Sequence, residues 1–376
     1  MSVFLDYNAT AKVRPQAAAA VARALEIGGN PSSVHAAGRA ARSLVESARA
    51  NVGRLVGAKP ESVVFVSGGT EANALAIESA VLAGVQRIIV GATEHDAVLE
   101  NARATGLPLA LLPVDQDGVA DLIWLMNQLQ RAPKTLVCLM LANNETGVIQ
   151  PVAEAAQLVR AAGGWLHVDA VQAAGKIPID FGGFGADTLA LSAHKLGGPQ
   201  GVGALVAGPR ATLSRRLHGG GQERGRRAGT ENVPGIAGFG AAAAVAIEEL
   251  PTLAAQAAWR DDLAAVVKDA GAVVLGECAP RLPQTLCFAA SGFASELQVM
   301  GLDLAGVMVS AGAACSSGKV KPSRVVEVMG RPELAPCAIR ISGGWASNAA
   351  DWARCGEAWS EIFARHQARR RAMADA

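Results

Sequence analysis

Aromatic residues are scarce: they make up 4% of the 376 residues, with a single tyrosine, although 51% of the chain is hydrophobic. Alanine supplies much of that apolar content, so helices with small packing faces are expected. Lys and Arg nearly balance Asp and Glu, giving a net charge of +1, so no bulk field draws nucleic acid or an anionic membrane surface. The N-terminal MSVFLDYNAT has no basic region followed by an apolar run and does not read as a secretory signal. The longest weakly polar stretch, Ile236 to Ile247, is about half of the ~20 residues a spanning helix needs. The six cysteines include no C-x-x-C pair, so neither a disulfide framework nor a zinc site is expected, and no metal. A reducing, cytoplasmic setting follows as the expectation.

A repeating strand–helix pattern is present. Strands are expected at Val63–Val66, Arg87–Val90, Leu109–Leu112, Leu136–Leu141, Trp165–Asp169, Thr188–Ser192 and Val202–Ala207. Helix-like stretches lie between several of them, at Thr70–Ala83, Val119–Arg131 and Pro151–Ala162, each bounded by a glycine-bearing turn. After NPSS, Ala40, Leu44, Ala48 and Val52 repeat at i, i+4 and predict an amphipathic helix. The alternation predicts an α/β fold with a seven-stranded, mostly parallel sheet flanked by helices. Composition shifts near Leu250-Pro251. A long Ala-rich helix is expected next, then strands around Thr285–Ala289, Val307–Ser310 and Ala338–Ser342, forming a smaller α+β domain. The expected division is 15–249 for the large domain, and 1–14 with 250–376 for the small one.

Ligands of such sheets sit beyond the carboxyl ends of the strands, and the chemistry-bearing residues gather there. Lys195, in SAHK, follows one strand; Asp169, 26 residues earlier in HVDAVQ, ends another. A lysine so placed can form a Schiff base with an aldehyde cofactor, while a carboxylate holds a ring nitrogen protonated. That pairing suits pyridoxal 5'-phosphate. Lys195 then needs a lowered pKa, which desolvation and nearby cations supply. SGGTEAN, opening a helix after a strand, suits a phosphate through Gly69 and Thr70, or is an ordinary glycine-rich turn. Ser192 and His194 can contact the same phosphate. His95 can stack on a pyridine ring and exchange protons with substrate, or simply start a helix. Asn144 can bond cofactor or substrate, or form an Asx turn. Arg340, inside an apolar strand, requires a partner: a substrate carboxylate or an internal salt bridge. Cys315 lies in AGAACSSGKVKPS, a run of small residues expected to be mobile and accessible, with Lys319 and Lys321 near a reactive thiol. The basic, glycine-rich stretch from Leu217 to Asn232 has no interleaved aromatics for stacking bases, so no nucleic acid is expected; a loop crossing a dimer interface and offering Thr230 to a phosphate fits better.

Nine motifs, LDYNAT, GNPSSVHAAGR, SGGTEAN, TEHDAVL, NNETGVIQP, HVDAVQ, SAHKLGGPQGVGAL, HGGGQERGRRAGTEN and SAGAACSSGKVKPS, occur in the order and spacing of cysteine desulfurases, so the chain resembles that family from Leu5 to about Arg340. The family belongs to class V of the fold-type I aminotransferase superfamily. The resemblance implies that Lys195 carries pyridoxal 5'-phosphate, that Asp169 and Gln172 meet its ring nitrogen and phenolic oxygen, and that His95 stacks on it. It implies phosphate contacts from Thr70, Ser192 and His194, with Thr230 from a second subunit, and a homodimer. It also implies Asn144 and Arg340 at the substrate carboxylate and Cys315 as sulfur acceptor. The activity implied turns L-cysteine into L-alanine, with a persulfide on Cys315 passed to an acceptor protein of iron–sulfur assembly or another sulfur pathway. Selenocysteine lyase, and a class V aminotransferase or lyase with Cys315 incidental, would use the same lysine. One departure stands at Ile341-Ser342-Gly343-Gly344-Trp345, where the family often has Phe-Ser-Leu-Gly-Arg.

Overall fold

The computed structural model describes residues 2–130, 133–312 and 321–374. Seven strands form the main sheet, in the spatial order Val63–Val66, Gly203–Ala207, Thr188–Ser192, Trp165–Asp169, Thr135–Cys138, Arg87–Gly91, Leu109–Leu112. Gly203–Ala207 runs antiparallel to both neighbours, and the five strands from Thr188–Ser192 to Leu109–Leu112 pair in parallel. The α/β class and the mostly parallel seven-stranded sheet expected from the sequence are what the chain builds. Parallel strands buried on both faces need continuous apolar runs, and TLVC, WLHVD and TLALS are each buried along their whole length.

Several boundaries move for identifiable reasons. The strand expected at Leu136–Leu141 is Thr135–Cys138, yet Leu139 and Leu141 still donate to His167 and Asp169 of the next strand. The helix expected from Val119 starts at Leu122, because the Asp121 side chain accepts from Trp124 N at 2.9 Å and caps it; it ends at Leu129, and Arg131 lies outside the described residues. The helix after NPSS spans Ala36–Leu55, but its buried face is Ala41, Val45, Ala48 and Val52 rather than the Ala40–Leu44 register. A strict i+4 repeat drifts about 40° per step around a helix, so spacings of three and four must mix to stay on one face. The Ala-rich segment expected as one helix beyond Leu250-Pro251 is two: Leu250–Ala254, with Pro251 in its first turn, and then Gln256–Asp269.

A four-stranded antiparallel sheet, Ser310–Ala311, Ala338–Ser342, Thr285–Ala289 and Val273–Val274, stands apart from the main one. Val307–Met308, expected to continue into Ser310, pairs instead in parallel with Val3–Phe4. The N-terminus is therefore tied to the later part of the chain, and Val3 and Leu5 share a core with Leu263, Phe288 and Trp359. Among the described residues no single helix is long and apolar enough to cross a membrane. The apolar Val233–Glu248 packs on the helices Pro15–Ile27 and Ala36–Leu55.

Candidate active site

The carboxyl ends of the parallel strands open into a cavity of about 280 Å³. Gly69, Thr70, His95, Asn144, Asp169, Gln172, Ser192, His194 and Lys195 line it, together with Asn73, Met140 and Val171. Nine residues chosen from sequence thus meet in one place. Each sits where a strand stops and the chain turns: the helix Gly69–Leu82 follows Val63–Val66, the helix Asp96–Ala104 follows Arg87–Gly91, and a short 3-10 turn carries His194 and Lys195 after Thr188–Ser192.

Burial pushes the Lys195 amine down to about 8; the Arg340 charge adds to this, and Asp6 and Asp169 oppose it. Its Nζ donates to the carbonyls of Asn8 at 2.7 Å and Ala9 at 2.9 Å. Burial also lowers His194 to about 4, with the Lys195 and Lys176 amines adding, and Thr10 Oγ1 lies 3.2 Å from its Nδ1. His95 caps its helix by accepting from Ala97 N at 3.0 Å through Nδ1, so Nε2 is the ring nitrogen left for chemistry. The capping alternative and the catalytic one are compatible, since they use different nitrogens.

Asp169 is supported by residues that sequence reading passed over. Its Oδ2 accepts from Asn73 Nδ2 at 2.8 Å and its Oδ1 from Val171 N at 2.9 Å. Asn73 Oδ1 lies 2.8 Å from His167 Nε2, and His167 Nδ1 lies 2.8 Å from Thr188 Oγ1. A carboxylate only accepts, so Asn73 must turn its NH2 to Asp169 and its oxygen to His167. His167 is then protonated on Nε2 and accepts from the Thr188 hydroxyl. Full burial holds this imidazole neutral, its pKa down to about 3. His167 was legible only as part of HVDAVQ; nothing in the local pattern ties it to Asn73, 94 residues away.

Two described candidates stand outside the cavity lining. Thr230 is exposed and lies with Ser67 and Arg227 in a separate cleft. Arg340 is buried, its Nη2 2.6 Å from Asp6 Oδ1 and its Nη1 donating to Asn144 O at 3.1 Å, so the internal salt bridge is formed. Its buried Nε has no partner among the described residues. Cys315 and Lys319 lie outside the described residues. Within the departing stretch Gly343 has a steric reason: a Cβ there would stand 2.3 Å from Gln256 Oε1 and 3.0 Å from the Trp352 ring. Trp345 instead donates from Nε1 to Lys12 O at 2.7 Å.

The donor set fits pyridoxal 5'-phosphate. A 14-residue helix presents its N-terminus at Gly69 and Thr70, beside Ser192 and His194, for an anion. A supported carboxylate faces the same space, and a lysine amine with a lowered pKa stands ready for an aldehyde. Gly69 has no room for a side chain, since a Cβ there would lie 2.9 Å from Val171 Cγ2.

The fold and this lysine-bearing cavity are those of a class V aminotransferase, and the Aminotransferase class-V family model matches residues 3–352. Proteins of this class are pyridoxal-phosphate enzymes. A cysteine desulfurase of Cereibacter sphaeroides is 44% identical over 353 residues, covering 90% of this chain and 90% of the relative. Cysteine desulfurase IscS of Dictyoglomus turgidum is 39% identical over 353 residues, covering 91% and 89%. A NifS-like protein of Rickettsia africae superposes with a TM-score of 0.89 at 31% identity, covering 96% of this chain and 99% of that one. The chain belongs to the cysteine desulfurase family.

Proposed function

We propose that this enzyme converts L-cysteine to L-alanine and takes the released sulfur onto Cys315, from which an acceptor protein receives it. The observation that carries the activity is the Lys195 amine, lowered to about 8 by burial, in one cavity with the Asn73-supported Asp169. Gly69, Thr70, Ser192 and His194 would hold the phosphate, Asp169 the ring nitrogen, Gln172 the phenolic oxygen, and His95 the ring face. When bound, pyridoxal phosphate supplies an electron sink for the pair left at the substrate Cα.

The chain's own residues do the rest. Lys195 takes the Cα proton and returns a proton to carbon, with His95 Nε2 assisting. Asn144 and Arg340 orient the substrate carboxylate; Arg340 offers its unpartnered Nε, and a carboxylate displacing Asp6 would have the whole fork. The Cys315 thiolate attacks the substrate sulfur. The S–S bond forms as the C–S bond breaks, the electron pair of that bond stays with carbon, and protonation there gives alanine. A second copy of the chain would supply Thr230 to the phosphate. The two cores support a division into 15–249 and 1–14 with 250–376.

The test is alanine and sulfide release from L-cysteine by the cofactor-loaded protein with reductant, beside Cys315→Ala. The variant is expected to keep the cofactor's visible absorbance and lose turnover. Equal activity in both proteins would remove Cys315 from the reaction. Turnover of selenocysteine alone, or a keto acid product, would move the enzyme to the lyase or aminotransferase reading.

A further inference from the structure

Behind the cavity lies a second lysine that the reaction does not use. Lys176, only 6% exposed, sits after HVDAVQ and Gly175. No carboxylate among the described residues lies within ion-pairing distance of it. Its Nζ donates to Gln172 Oε1 at 2.7 Å and to Asn8 Oδ1 at 3.1 Å. A buried ammonium needs three acceptors and a counter-charge, whereas a neutral amine has two N–H groups, matching the two acceptors present. Burial, with the Lys195 and Arg340 charges adding, pushes Lys176 well below the ordinary lysine value, in agreement with that count.

The two contacts have directional consequences. With Oε1 taken by Lys176, Gln172 must turn its NH2 the other way, where Nε2 donates to Asn8 O at 2.9 Å. One amide N–H remains, so Gln172 faces the cavity as a donor. Asn8, with Oδ1 taken, turns its own NH2 to Thr285 Oγ1 at 3.0 Å and Asn144 O at 3.2 Å, while its backbone N donates to Ser342 Oγ at 3.0 Å. The Asn8 carbonyl is also one of the two on which Lys195 Nζ rests. Asn8 therefore joins the lysine wall of the cavity to the strands that carry Thr285 and Ser342, and Lys176 locks it there.

We infer that Lys176 is a positioning residue for this site: it fixes the Gln172 amide as a donor toward the cavity and holds the Asn8 carbonyl beneath Lys195. This rests on the cofactor-site reading above, but not on cysteine being the substrate.

The test is Lys176→Met, of similar length but without N–H groups, in the cofactor-loaded protein. The first readout needs no substrate: the pH titration of the bound cofactor's visible absorbance. The midpoint is expected to move by at least half a unit. With L-cysteine, kcat is expected to fall about tenfold while KM stays within about threefold, as for loss of an interaction made in the transition state. If Lys176→Met does not fold, Asn8→Ala removes the same Oδ1 acceptor and is expected to shift the midpoint in the same way. Where both fold, the double variant is expected to lose less than the sum of the two, since one contact cannot be removed twice. An unmoved titration and unchanged kcat, with only thermal stability altered, would overturn the inference. A protein that takes up no pyridoxal phosphate would sink the cavity reading and this one with it. Normal absorbance effects without cysteine turnover would leave the inference standing and remove only the substrate.

Discussion

The two sheets solve different problems with different residues. The core around the seven-stranded sheet is largely Ala, Val, Leu and Ile, with Phe65, Phe181, Phe239 and Trp165 buried in it and Trp124 and Phe184 packed against it. The core around the four-stranded sheet concentrates Trp352, Trp359, Phe288, Phe293 and Phe363, in edge and stacked contacts 4.8 to 5.8 Å between ring centres. A parallel sheet points all its carboxyl ends one way, so polar residues placed there converge on a common space. An antiparallel sheet has no such common end, and the bulky rings packed on this one fill volume. The comparison predicts that activity depends chiefly on the first region and that much of the second can be altered with loss of stability alone.

The largest expected effect is at the carboxyl ends of the parallel strands. Lys195→Ala should abolish turnover and the cofactor's visible absorbance, while the thermal midpoint of the cofactor-free protein stays close to that of the parent. A large fall in that midpoint would mean that the lysine's two carbonyl contacts hold the fold as well as the site.

Next comes the aromatic core. Trp359 is fully buried, sits edge-on to Phe288 and stacked on Phe363, and donates from Nε1 to Gln298 Oε1 at 2.9 Å. Trp359→Ala should cost about 3–5 kcal/mol in urea unfolding, with kcat per folded, cofactor-loaded molecule unchanged at 25 °C. A fall in kcat at full occupancy would break the division between the two regions.

A third test sharpens the comparison by pH. His167 has a folded pKa near 3 against 6.5 when exposed. The unfolded chain therefore takes up the proton first, so the neutral histidine's contribution is complete above about 6.5 and is lost as pH falls toward 3. His167→Gln, which keeps a donor toward Asn73, should flatten that part of the stability–pH curve. In the aromatic core the Cys355 thiol, pushed up to about 12 by burial, should leave the same window untouched. An unchanged acid limb in His167→Gln would show that other groups govern it.

The nine cavity residues were legible because each is a local event, a strand giving way to a glycine or a polar turn, and strand ends of a parallel sheet are known to meet. Asn73 and His167 were not, since a mid-helix asparagine and a mid-strand histidine carry no local mark of the partner that employs them. Arg340 was legible as a buried charge in need of a partner, but both answers fitted the sequence; Asp6, 334 residues away, takes it in the structure.

Contiguous residues, through apolar periodicity, turn chemistry and motif order, were enough for the α/β class, the strand ends, the lysine–aspartate pair and the family. Contacts between distant segments were needed for the rest. Asn8 bonds to Ser342, Thr285, Gln172 and Lys176 at separations of 164 to 334 residues. Whether a lysine is charged, which way an amide faces and whether a glycine can be replaced depend on what packs against them. No stretch of neighbouring residues contains that information, because the neighbours concerned are neighbours only after folding.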